Sequence, residues 1–296
     1  MTTVCVLGAT GLVGREMLRC LEERGFPLTR LVPLAREGDG GRRLRFRGEE
    51  HVVERARPAA LAAADLVLAS AGRDASRKLL PLACAGGSTC VDNSSAFRMD
   101  PEVPLVVPEV NGECLDARPT LVANPNCSTI QLVSVLEPLR AAFGLSSVQV
   151  ATYQSASGAG GAALDALYGT PETLDVVPAV GPLDDDDRAE EEVKLERETR
   201  KILGLELPVD ALCVRVPTRV GHGEAVWVRT EERMDLALAC EVLEGAPGIR
   251  LDGRRGFATP RRSREPTWCV SAASAVPEST ACASGWRPTT SARERR

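Results

Sequence analysis

The sequence predicts an α/β chain, a doubly wound parallel sheet joined to a smaller α+β domain. Three observations carry this. Short apolar, β-branched runs alternate with helix-patterned stretches in the first part of the chain. The first run ends in a glycine-rich turn that opens a helix. After Asn124 the texture changes to longer amphipathic segments. At 296 residues and 44% hydrophobic, the chain is long enough for two cores. The domains are expected at 1–125 and 126–260, with an irregular tail at 261–296.

The elements follow in order. Thr3 to Leu7 is a strand, and the pattern Val13, Met17, Leu18, Leu21 is a helix that Gly25 stops. Strands are expected at Leu28 to Leu34, Leu66 to Ala69 and Thr89 to Val91, with a helix from Asp74 to Ala85. Beyond Asn124 come a helix from Ser128 to Phe143 and a strand from Ser147 to Tyr153. An acidic helical segment follows from Asp184 to Ile202, whose Asp184–Asp187 run caps the helix start and complements its dipole. Strands Ala211 to Val216 and Ala225 to Thr230, a helix from Asp235 to Leu243, and Ile249 to Leu251 complete this domain.

Composition narrows the function. With 41 acidic and 36 basic side chains the net charge is −5, which disfavours a general nucleic-acid or anionic-membrane surface. Apolar runs stay below the ~18 residues of a membrane span, and no basic leader precedes the first strand, so the expected location is cytoplasmic. Ten cysteines without CxxC spacing read as reduced, mostly buried residues, and no metal site is expected. Only His51 and His222 can supply an imidazole, and His51, amid charges, reads as a surface residue.

Gly8, Gly11 and Gly14 form a GxxGxxG turn between strand and helix, the Rossmann-type context in which a backbone closes on a dinucleotide pyrophosphate. Arg36, just past the second strand, favours a 2′-phosphate and hence NADP, while the neighbouring Glu37 opposes it. Cys127, in NPNCSTI, stands at a helix start that lowers a thiol pKa; it is either a nucleophile or one more buried helix cysteine. His222, between two glycines, fits a proton acceptor or a structural residue. Glu191 and Lys194 sit at i, i+3 and read by themselves as a surface ion pair. Arg215, in an apolar strand, needs a carboxylate or phosphate partner, and a substrate anion would serve.

GATGLVG, Ser70-Ala71-Gly72, DNSSAFRMD around Arg98, VPEVN, NPNCSTIQ, TYQSASGAG, EEEVKLERETRKIL and RVPTRVGHGEAV occur here in one order. That order resembles the aspartate-β-semialdehyde dehydrogenase family over about residues 1–260. The resemblance implies NADP-dependent reductive dephosphorylation of L-aspartyl 4-phosphate to L-aspartate 4-semialdehyde, on the route to lysine, diaminopimelate, threonine, methionine and isoleucine. It implies Cys127 as the nucleophile that forms a thioester, His222 as acid/base and Gln154 as an orienting group. Arg215 would hold the α-carboxylate and Glu191 the amine; Lys194 and Arg98 would be the phosphate-side cations, with Asn126 beside them. Gly8, Thr10, Gly11, Leu12 and Val13, then Ser70, Ala71 and Gly72, and finally Ser157 and Gly158 would line the cofactor. A homodimer built through the second domain is expected. A close rival is N-acetyl-γ-glutamyl-phosphate reductase, which shares the thioester logic; a rival of another kind is an inactive dinucleotide-binding relative.

Leu34 and Glu37 stand where the family usually places serines, the stretch between Leu167 and Val176 is short, and the family's closing strand and helix are missing. The tail from Arg261 carries seven arginines against three glutamates and shows no period. Back-translated with GC-rich codons and read one base earlier, Thr280 to Ala292 gives a sequence like that closing segment. The tail is therefore expected to be the product of a frameshift soon after Pro260.

Overall fold

The computed structural model describes residues 2–161, 175–252, 268–271 and 281–282. Most of the tail, and residues 167–174 of the short stretch, lie outside the described residues.

The first domain is a six-stranded sheet in the order β5-β2-β1-β6-β7-β8, every pair parallel. Its strands are β1 (Thr3–Leu7), β2 (Arg30–Ala35), β5 (Glu54–Arg55), β6 (Leu66–Ala69), β7 (Thr89–Asp92) and β8 (Leu121–Ala123). A hairpin of β3 (Arg43–Phe46) and β4 (Glu49–Val52) lies beside it, where His51 meets Phe46 edge-on rather than standing free in solvent. A parallel sheet must be covered on both faces. Cys5, Leu7, Val67 and Cys90 pack with Leu61 of α2 (Pro58–Ala62) and Leu80 of α3 (Arg73–Ala85). Val4 and Val6 pack with Leu18 and Leu21 of α1 (Leu12–Glu23). The strand order reverses between β1 and β6, so the ends of those two strands frame the crevice in which such sheets bind ligands.

A short α4 (Pro108–Asn111) precedes β8, and α5 (Cys127–Phe143) leaves it after three residues. The second sheet has the order β10-β9-β11-β14, from β9 (Ser147–Gln154), β10 (Val209–Arg215), β11 (Gly223–Arg229) and β14 (Ala281–Cys282). β9 and β10 are parallel, and β11 runs antiparallel to β9 and β14. Val148, Val150, Val209 and Val228 point to Leu132 and Leu136 of α5 and Leu195 of α6 (Glu190–Leu203). On the other face Tyr153 and Leu212 are exposed. Leu139 and Phe143 of α5 pack against α7 (Leu236–Glu244), which leads to β12 (Ile249–Asp252).

Three expectations need correction. α6 starts at Glu190, not in the Asp184–Asp187 run. Asp184 Oδ1 accepts from the N–H groups of Asp186 (3.0 Å) and Arg188 (2.9 Å), and Asp187 takes φ 59°. The side chain thus stabilises a turn that competes with the helix. The helix is capped instead by Glu192, whose carboxylate accepts from Ala189 N–H at 3.0 Å. Within the tail expected to be irregular, Trp268–Ser271 forms β13, parallel to β12, and Ala281–Cys282 is β14. Of the eight cysteines up to Cys240, Cys5, Cys90 and Cys213 are buried, Cys127 is exposed, and Cys20, Cys84, Cys114 and Cys240 are partly buried, because their elements lie at the surface of the layers.

Candidate active site

The glycine turn is built from backbone. Gly8 has φ +90°, and a Cβ there would lie 2.3 Å from Ser70 O; one on Gly14 would lie 2.1 Å from Gly8 O. Both positions require glycine, and they press the turn against the end of β6. The N–H groups of Gly8 and Ala9 donate to Leu34 O at 2.8 and 3.1 Å, so Leu34 contributes a carbonyl while its side chain is fully buried. Gly11 caps α1, with Thr10 before it and Leu12 and Val13 exposed in the first turn. Ala71 and Gly72, at φ +88°, lead from Ser70 into the start of α3. Two helix N-termini and a glycine turn with no room for a Cβ at Gly8 or Gly14 meet at the sheet's switch point, a cradle that fits a dinucleotide's phosphates. Arg36 Nε donates to Asp39 Oδ2 at 3.0 Å while most of its side chain is exposed, and Asp39 Oδ1 also pairs with Arg42. Glu37, the residue expected to oppose a phosphate, is paired with Arg55 at 2.7 Å.

Cys127 is the first residue of α5 and is exposed. Asn126 caps the helix, its Oδ1 accepting from Ser128 N–H at 2.9 Å. Cys127 Sγ lies 3.1 Å from His222 Nε2, although the two are 95 residues apart. The expected low thiol pKa is not what the surroundings produce. Crowding by neighbouring atoms, with Glu191 and Glu224 adding, pushes it up to about 11, against the Ser128 N–H and Arg98. Burial, then the charge of Arg215, holds His222 down at about 4 despite Glu191. At neutral pH the pair is a thiol beside an uncharged imidazole.

Charged groups surround this pair. Glu191 Oε2 accepts from Asn126 Nδ2 at 2.6 Å, and its Oε1 pairs with Lys194 at 2.7 Å. Lys194 also reaches Glu190, which binds Arg73 at the start of α3 and so joins the two domains. The Glu191–Lys194 pair is therefore a real ion pair that also touches Asn126, the residue before Cys127. Arg215 Nη1 donates to Ser155 O at 2.6 Å, and a Cβ on Gly158 would sit 3.0 Å from that nitrogen and 3.3 Å from His222 Cε1. Ser157 Oγ lies 3.0 Å from Ser155 Oγ. Gln154, 2% exposed, donates to Thr152 Oγ1 at 3.3 Å, and among the described residues no hydrogen bond joins it to Cys127 or His222. Arg98 is 8% exposed and spends three N–H groups on Asn124 O, Asn93 O and Glu198.

Sequence reasoning missed Glu198 and Lys201. Glu198, 1% exposed, uses one oxygen on Arg98 (3.0 Å) and the other on the Asn126 peptide N–H (2.7 Å), which fixes the residue before Cys127. Lys201 gathers the carbonyls of Arg98, Asp100 and Val103 at 2.6–2.8 Å. The signal was available. Glu191, Lys194, Glu198 and Lys201 fall on one helical face, a period that extends the pair already singled out. Glu224 was missed as well; burial raises its carboxyl to about 8, and Oε1 has no hydrogen-bond partner among the described residues.

Comparison with known proteins agrees with this geometry. Residues 3–118 match the family described as semialdehyde dehydrogenase, NAD binding domain, and 136–269 match semialdehyde dehydrogenase, dimerisation domain. An aspartate-semialdehyde dehydrogenase of Prochlorococcus marinus is 43% identical over 267 residues, covering 84% of this chain and 78% of the relative. One from Bacillus subtilis is 39% identical over 275 residues, covering 84% and 79%. The crystal structure of aspartate semialdehyde dehydrogenase II from Vibrio cholerae superposes with TM-score 0.91 at 35% identity, over 95% of this chain and 91% of that one. Sheet order, glycine cradle, sulfur–imidazole pair and relatives agree, and the chain belongs to the semialdehyde dehydrogenase family.

Proposed function

We propose that this chain is an aspartate-semialdehyde dehydrogenase, an oxidoreductase of amino-acid biosynthesis that uses NADP. It reduces L-aspartyl 4-phosphate to L-aspartate 4-semialdehyde and releases phosphate. The observation that carries the reading is the 3.1 Å approach of Cys127 Sγ to His222 Nε2 at the N-terminus of α5. The relatives cited above bear this name, and a crystal structure of aspartate semialdehyde dehydrogenase II from Vibrio cholerae is described as complexed with ASA.

The sulfur of Cys127 adds to the acyl carbon, and the C–O bond to phosphate breaks to leave a thioester. Reduction gives a hemithioacetal whose collapse frees the sulfur and the semialdehyde. His222 serves the proton needs at the sulfur and the new oxygen. Gln154 orients them, and the Asn126 cap and the Glu198 contact hold Cys127 in place. Arg215 takes the α-carboxylate as a bidentate fork, Glu191 the ammonium, and Lys194 and Arg98 the phosphate charge. Lys194 is already paired with Glu191, so substrate exchanges ion pairs rather than creating bare charges.

When bound, the reduced cofactor, NADPH, would supply the hydride. The Gly8–Val13 turn, Ser70, Ala71 and Gly72 would hold its phosphates, Arg36 its 2′-phosphate, and Ser157 and Gly158 the end nearest Cys127. The exposed Tyr153 and Leu212 on the open sheet face support a homodimer through the second domain. Among the described residues no helix is long and apolar enough to cross a membrane. The composition shift after Pro260 supports a change of reading frame; a single unbroken frame in DNA from independent isolates would overturn that part.

The test is phosphate-dependent formation of NADPH from L-aspartate 4-semialdehyde, with NAD run in parallel. Cys127→Ala should lose at least ~10⁴-fold in kcat, and activity that survives it would refute the nucleophile.

A further inference from the structure

A buried carboxylate stands just past β2, where a sheet of this kind reads the ribose of its dinucleotide. Asp39 closes the turn Glu37–Asp39 and is 7% exposed. The loop that carries it is fixed at both ends. Leu34 O accepts the N–H groups of Gly8 and Ala9, which ties the end of β2 to the phosphate cradle two residues before Arg36. At the other end Gly41 N–H donates to Val53 O at 2.9 Å, and Val53 N–H donates to Arg42 O at 2.8 Å. An acidic residue past this strand ordinarily accepts from the ribose 2′-hydroxyl and disfavours a 2′-phosphate. The oxygens of Asp39 are committed otherwise. Oδ2 accepts from Arg36 Nε at 3.0 Å, and Oδ1 lies 3.1 Å from Arg42 Nη2. Both guanidiniums are exposed and keep further N–H groups for a second anion.

We propose that Asp39 is a positioning residue for cofactor specificity: it holds Arg36 and Arg42 on one carboxylate, and the two arginines together receive the 2′-phosphate of NADP, while Asp39 itself binds no part of the ribose. The inference rests on the NADP reading above and adds Arg42 and Asp39 to it. A carboxylate between two guanidiniums offsets their mutual repulsion and orders two long side chains before the ligand arrives, and the group of three keeps a net positive charge. A cavity of about 460 Å³ is lined by Ala9 and Thr10 of the glycine turn, Arg15 of α1 and Arg42, so Arg42 faces the same space as the cradle. Glu22, the carboxylate in that lining, is occupied by the N–H of Arg47 at 2.9 Å. Nearby arginines are spent elsewhere, Arg43 on Glu50, Arg55 on Glu37 and Arg19 on Glu16 and Glu23.

Calorimetric titration of the full chain, with no substrate present, tests this by comparing NADP with NAD and adenosine 2′,5′-bisphosphate with AMP. The wild type should favour the 2′-phosphorylated member of each pair. Arg42→Gln should weaken those two ligands by ~10-fold and leave NAD and AMP unchanged. Asp39→Asn keeps the shape of the side chain but gives up its charge, and it should act in the same direction by a smaller factor. A carboxylate that reads the ribose hydroxyl predicts the reverse, weaker NAD and stronger NADP in Asp39→Asn, and that result would overturn the proposal. Unaltered NADP affinity in Arg42→Gln would overturn it too, and this exposed position decides the matter if the Asp39 variant does not fold. Equal weakening of all four ligands would assign the three residues a structural role only and count against it as well. A wild type indifferent to the 2′-phosphate would refute the NADP assignment along with the inference, whereas a preference that survives both substitutions would refute the inference alone. Failure to turn over the semialdehyde would bear on the proposed reaction and not on these affinities.

Discussion

The two halves of this molecule build their sites from different materials. The dinucleotide cradle is backbone: a turn whose Gly8 and Gly14 have no room for a Cβ, and two helix starts at one crevice. The proposed reacting cluster is made of side chains. It draws Cys127 from α5, Glu191 and Lys194 from α6, Arg215 from β10 and His222 from the loop before β11. A backbone site fails when volume is added, because peptide atoms cannot rotate out of the way. A side-chain site fails when charge or reach is altered while the fold survives.

The largest effect expected from this contrast is at Gly8. Gly8→Ala combines a positive φ with a Cβ 2.3 Å from Ser70 O, and should cost about 4 kcal/mol. Urea denaturation should show the loss, and dinucleotide binding followed by protein fluorescence should vanish with it. An alanine variant of wild-type stability would erase the distinction between the halves. Arg215→Lys comes next, keeping the charge but losing the fork. It should lower kcat/KM for the semialdehyde by ~100-fold, mostly through KM, with little change in Tm. A Tm that falls with activity would mean that its bond to Ser155 O serves folding more than binding.

The smallest effect sharpens the electrostatics. His222 stays neutral in the folded chain down to about 4, whereas an unfolded chain protonates it near the ordinary imidazole value of 6.5. Between those values the unfolded state binds more protons, so this residue makes stability fall as pH drops through that window. His222→Asn should therefore remove on the order of 2 kcal/mol of acid destabilisation near pH 4, read as a smaller Tm decrease from neutral to acid pH. Equal decreases in both proteins would place the His222 proton affinity back at its ordinary value.

The same division governs what could be read in advance. β1, β6, β7, α1 and α3 were legible because apolar periodicity and a glycine turn are local properties. The start of α6 was not, since an aspartate run suits a cap and a turn equally, and the choice fell to Asp184 bonding forward to Asp186 and Arg188. Cys127 was legible as a helix-start cysteine, but its proton affinity was not. A helix N-terminus lowers a thiol pKa, whereas crowding with Glu191 and Glu224 outweighs it here, and those carboxylates lie in other elements. Glu198 was hidden for a related reason: a mid-helix glutamate reads as solvated until both of its oxygens are seen to bind other segments.

By itself the sequence determined the layer architecture and the position of the glycine turn, and it singled out Cys127 as a candidate nucleophile, because each depends on neighbours a few positions away. Only the tertiary structure decided that a sulfur and an imidazole 95 residues apart stand 3.1 Å from each other, and in which direction burial moves each pKa. Those quantities depend on distances through space, and chain order does not encode them one residue at a time.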